Sequence, residues 1–124
     1  MTNAIFLNTF FPFSKGQDKD YETKIFIEVA RKAISMGESQ ADYGVETQNA
    51  ISEFGQTNLA PIAAWHFQKA TEHFQEAINN LEQAKMFSAS AKYQKYIELK
   101  EKKCIEKLEV ISKNKGIAEN LINN

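Results

Sequence analysis

Alanine recurs at every seventh position from Ala63 through Ala70, Ala77 and Ala84 to Ala91, and Phe67, Phe74 and Leu81 fall between the first four at steps of four and three. A 3.5-residue apolar period keeps one stripe of an α-helix turned toward a partner, so the stretch 61–86 reads as a helix packed along its whole length. Alternating methyl groups with large side chains also lets two backbones come near, toward the short end of the usual ~8–10 Å interaxial range.

A chain of 124 residues, 43% apolar and 25% charged, is long enough to bury one core without a metal or a disulfide. The expectation is a single all-α domain over 1–124. Its architecture would be an antiparallel bundle of about four main helices with a Phe-rich N-terminal arm and a short C-terminal helical turn. No alternating run of β-branched residues and no Asn-Gly or Asp-Gly dipeptide argues for a strand.

The first helix is expected over 20–36, where Tyr21, Ile25, Val29, Ala33 and Met36 recur at helical spacing, with Gly37 ending it. A second follows over 40–54, capped by Ser39 and weakened in its middle by Gly44, which costs up to ~1 kcal/mol against alanine. The third, 61–87, opens on Pro61, a residue suited to a first helical turn. Carrying the Phe67, Phe74, Leu81 row forward lands on Lys95 and Lys102, whereas the apolar residues fall at Ile97, Cys104, Leu108 and Ile111. This reset by two positions predicts a turn near Ser88–Ser90, with Ser90 capping a fourth helix over 91–113. One long kinked helix is the alternative. Asn114-Lys-Gly116 is expected to end the fourth helix, before a closing turn at Ile117–Ile122.

Residues 1–14 contain Phe6, Phe10, Phe11 and Phe13, four of the nine phenylalanines, and no charged residue before Lys15. So much aromatic surface needs covering, because large contiguous apolar patches are rare on soluble monomers. Phe6 and Phe10, four apart, are expected to pack along the bundle. Phe11 and Phe13 flank Pro12, which disfavours helix at the preceding residue, and are candidate partner contacts. The arm lacks the basic n-region of a secretory signal, and the single Cys104 suits a reducing compartment, so a cytoplasmic protein is expected. Fourteen lysines against one arginine, with ten asparagines, suggest the codon usage of a low-GC bacterium, phage or plasmid.

Motifs for chemistry are missing. His66 and His73 stand seven apart with Glu76 nearby, but di-metal bundles place Glu-x-x-His on two helices, and here the order is reversed and occurs once. Both read as boundary histidines. No nucleophile elbow, phosphate-cradling loop or dinucleotide fingerprint is present. The expectation is no catalytic residue, no cofactor and no metal, with a metal-dependent helical-bundle enzyme as the third-ranked reading.

Charge is uneven: residues 15–60 hold five basic and eight acidic side chains, net −3, while 92–115 hold eight Lys and four Glu, net +4. Nucleic-acid binding through Lys102, Lys103, Lys107 and their neighbours, with Tyr93 and Tyr96 as stacking platforms, is the second reading. The interleaved glutamates and a pI near 6.1 weigh against it. The favoured function is a non-catalytic protein–protein interaction module, a small regulator or inhibitor that occupies a surface of another protein. Its candidate contacts are Phe11, Phe13, Trp65, Lys102, Lys103 and Lys107. Self-association through the heptad seam or the arm is a further possibility, and no membrane partner is expected.

Overall fold

A computed structural model of the chain describes residues 20–88 and 90–123. The aromatic arm 1–14, including Phe11 and Phe13, lies outside the described residues. The described chain is all-α and forms three helices: α1 (Tyr21–Phe54), α2 (Ala60–Phe87) and α3 (Ala91–Asn123), with a 3₁₀ turn at Thr57–Leu59 between the first two. Helix α2 lies between the others and packs on both, while α1 and α3 barely touch.

The alanine seam is the inner edge of α2. Ala60, Ala63, Phe67, Ala70, Phe74, Ala77, Leu81 and Ala84 are all buried. Burying each large side chain of this set contributes about 1.5–3 kcal/mol. Helix α1 answers with a seven-residue stripe of its own, Thr23, Ala30, Gly37, Gly44 and Ile51, again all buried. The two helices run antiparallel: Phe26 near the start of α1 stacks on Phe87 at the end of α2, ring centroids 5.6 Å apart. At the same end the buried Thr23 hydroxyl donates to the Ala84 carbonyl at 3.4 Å. Helix α3 contributes Ile97, Cys104, Ile111 and Ala118, also seven apart.

Three helices replace the expected four, and the correction turns on two glycines. The segments 20–36 and 40–54 are one helix of 34 residues, about 51 Å long at 1.5 Å per residue. Gly37 does not end it. A Cβ at Gly37 would stand 2.8 Å from Cε2 of Phe74, and one at Gly44 would stand 2.6 Å from Cε1 of Phe67. Both glycines therefore make room for rings of α2 within an unbroken helix. The glycine that does terminate α1 is Gly55, whose φ of 67° is left-handed and whose N–H returns to the Ile51 carbonyl.

The turn near Ser88–Ser90 is present, so no single helix runs from 61 to 113. Ser88 is extended, with ψ at 131°, and the Ser90 hydroxyl accepts the Tyr93 N–H at 3.5 Å. The Gln94 amide donates to the carbonyls of Lys85 and Ser88 at 2.9 and 3.1 Å, so a side chain of α3 satisfies backbone acceptors at the end of α2. Helix α3 then runs past 113 to Asn123, against the expected stop at Asn114-Lys-Gly116. Ala118 keeps the packing stripe going, and Gly116 faces open space, with nothing within 4 Å of where a Cβ would stand. Tertiary packing outweighs the poor local propensity. Among the described residues no helix is long and apolar enough to cross a membrane.

Candidate functional site

Two surfaces carry the side chains singled out by sequence. The first centres on Trp65, which projects from the back of α2 and is 53% exposed. Its indole meets the His66 ring edge-on at 5.1 Å, and Lys69 Nζ lies 5.5 Å from the indole centroid. His66 is in turn held by α1: its Nδ1 hydrogen-bonds Oε1 of Gln40 at 2.7 Å, and its ring lies 5.5 Å from that of Tyr43. Tyr43 is 52% exposed. The histidine thus braces two exposed aromatic side chains from two helices, a role that sequence reading missed because it depends on the α1–α2 register.

The histidines do not converge on a metal site. His73 Nδ1 lies 3.9 Å from Glu76 on its own helix, while His66 is committed to Gln40, Tyr43 and Trp65. Among the described residues no three His, Cys, Asp or Glu side chains stand together in a way that could hold an ion.

The second surface follows from α1 and α3 both leaning on α2 without meeting. Between them runs a groove. Its lower part, about 430 Å³, has walls of Ala41 and Val45 on one side and Val110 and Ile111 on the other, with the buried Phe67 and Phe74 rings beneath. Its upper part, about 440 Å³, is lined by Ile27, Tyr93 and Tyr96. Lys24, Arg31, Glu38 and Val45 are seven apart, as are Tyr96, Lys103 and Val110, so the two parts lie one after the other along the same helix stripes. At its far end Gln48 donates from α1 to the Asn114 carbonyl of α3 at 2.9 Å.

The three lysines picked from sequence separate. Lys103 and Lys107 stand on the rim of the groove beside Glu106 and face Glu38 and Asp42 across it, whereas Lys102 is exposed elsewhere on α3. They do not form a track of one sign. Lys85 of α2 instead pairs with Glu101 of α3 at 3.0 Å, and that hydrogen bond raises the lysine above its ordinary pKa.

Cys104 is buried against α2. Burial pushes its thiol pKa up, Lys100 opposes this, and Glu101 and Glu38 add to it. Such a thiol is a packing group rather than a nucleophile. A soluble disulfide reagent at pH 8 is expected to react with the native protein roughly a hundredfold more slowly than with the guanidinium-unfolded chain, since access requires local opening. Equal rates would place Cys104 at the surface.

Comparison with protein-family models, with curated proteins and with solved structures finds no match to this chain.

Proposed function

We propose that the chain is a non-catalytic protein-binding module, a small regulator or inhibitor that acts by covering a surface of another protein. The observation that carries this reading is the braced aromatic pair. Trp65 and Tyr43 are each more than half exposed, yet His66 and its bond to Gln40 hold them in place. Exposed Trp and Tyr are the residues most enriched among binding hot spots, and prior fixing of their geometry lowers the ordering cost of association. Ile62, 48% exposed on the same helix one turn before His66, adds apolar area. The uncharged arm adds Phe11 and Phe13 as further contacts.

Affinity capture with the full chain, set against a Trp65→Ala, Tyr43→Ala variant, tests the proposal. A specific protein retained by the parent should be lost by the variant, with affinity falling at least about 30-fold, the equivalent of ~2 kcal/mol. The thermal melt should stay within about 4 °C, since two surface changes of this kind move stability by no more than about 0.5 kcal/mol each and Tm shifts by a few degrees per kcal/mol at this size. Equal capture by both chains would remove the aromatic pair from the function. Retention of nucleic acid instead, falling steeply as salt rises, would transfer the function to the lysines of α3.

A further inference from the structure

We propose that the groove between α1 and α3 is the seat of the chain's own N-terminal segment, Ile5–Phe10, with Phe6 and Phe10 as its anchors. The groove is the place that a fourth helix would fill in a closed bundle. It leaves apolar side chains open along its walls, with Val45 40% and Val110 58% exposed. The far end is crossed by the Gln48–Asn114 hydrogen bond, and the near end, at Lys24 and Ile27, adjoins the start of α1, where the described chain begins.

Length and chemistry both fit. Ala41, at the centre of the lower part, is 21 residues along α1 from Asp20, about 32 Å. Ten residues separate Phe10 from Asp20 and fourteen separate Phe6, reaching about 33 Å and 46 Å when extended. Phe10 can therefore reach Ala41, and Phe6 can reach Val45, about 38 Å away. Ile5–Phe10 carries no charge and matches the apolar walls of Ala41, Val45, Val110 and Ile111, with Glu38, Asp42, Lys103, Glu106 and Lys107 at the rim. A linker of mixed charge, Lys15, Asp18, Lys19 and Asp20, joins the two. This occupant does not compete with the proposed partner surface, because Trp65 and Tyr43 lie on the other side of the α1–α2 pair from α3.

Two measurements on the full chain test the proposal. In NMR spectra of selectively labelled protein, the methyl groups of Val45 and Val110 should show cross-peaks to the rings of Phe6 or Phe10. Those cross-peaks should persist on dilution and be absent from isotope-filtered spectra of mixed labelled and unlabelled chains. Missing cross-peaks, or cross-peaks found only between copies, would overturn the assignment, the latter in favour of a second copy. Independently, Phe10→Ser and Val110→Lys should each lower Tm, and the double variant should melt no lower than the weaker single one, because either change already empties the seat. Fully additive losses would show that the two residues never meet. Neither readout involves Trp65, so failure here leaves the partner-binding proposal standing.

Discussion

Phe74→Ala is expected to lower stability by about 3–5 kcal/mol, the range for emptying a packed aromatic site. The ring is 1% exposed and fills the space over Gly37, so no neighbouring side chain stands ready to collapse into the cavity. Against a total of ~5–15 kcal/mol for an ordinary domain, this is a large share. The melting temperature should drop by roughly 10–20 °C, from the usual few degrees per kcal/mol at this size. Ile62→Ala on the same helix, 48% exposed, is the control and should stay within about 0.5 kcal/mol. Matching melts for the two variants would mean that α2 does not present its phenylalanines to α1.

The second large effect reverses an ordinary sign. Gly→Ala inside a helix normally stabilises by up to ~1 kcal/mol. Gly44→Ala is expected instead to destabilise by about 1–3 kcal/mol, because the new methyl group would lie 2.6–2.9 Å from three atoms of the fully buried Phe67 ring. Urea titrations with an unchanged m-value give the comparison. In a Phe67→Ala background the ring is gone, so Gly44→Ala should become neutral or favourable. The coupling energy between the two positions then reports their contact directly. A Gly44→Ala variant more stable than the parent would place Phe67 elsewhere.

These two effects also explain which parts of the fold were legible in the sequence. The seam of α2 was readable because its large residues stand out from alanine, and the break at Ser88–Ser90 was readable because the apolar phase shifts there. The continuity of α1 was hidden. Gly37 has the local look of a helix-ending residue, and only the seven-residue run of Thr23, Ala30, Gly37, Gly44 and Ile51 marks it as half of a seam. That run is visible in the sequence, but small residues score weakly as apolar, so the stripe is overlooked when large side chains alone are followed. The true terminator, Gly55, differs by its left-handed φ and by the open space around it, neither of which the sequence displays.

The end of α3 was misread for a related reason. Asn114 and Gly116 are poor helix formers, but Ile111 and Ala118 are both buried seven residues apart, and their packing carries the backbone through. At the candidate sites, Trp65 is among the contacts named from the sequence. The partners of its neighbour His66, Gln40 and Tyr43, 26 and 23 residues before that histidine, became visible only once α1 was known to continue past Gly37 and to run antiparallel to α2. The groove was likewise not foreseen. It exists because two long helices replace three shorter ones beside α2, which leaves one side of the assembly without a fourth wall.

Both surfaces therefore rest on 21–54 being a single continuous helix, and a distance along α1 tests that most directly. Spin labels placed at the exposed positions Glu28 and Glu53, in a Cys104→Ala background, should report a narrow distribution centred near 38 Å, the rise of 25 helical residues. A distance of about 20 Å or less would mean that the chain reverses near Gly37 as two antiparallel helices. The groove between α1 and α3, and the bracing of Trp65 through His66, would then both be lost.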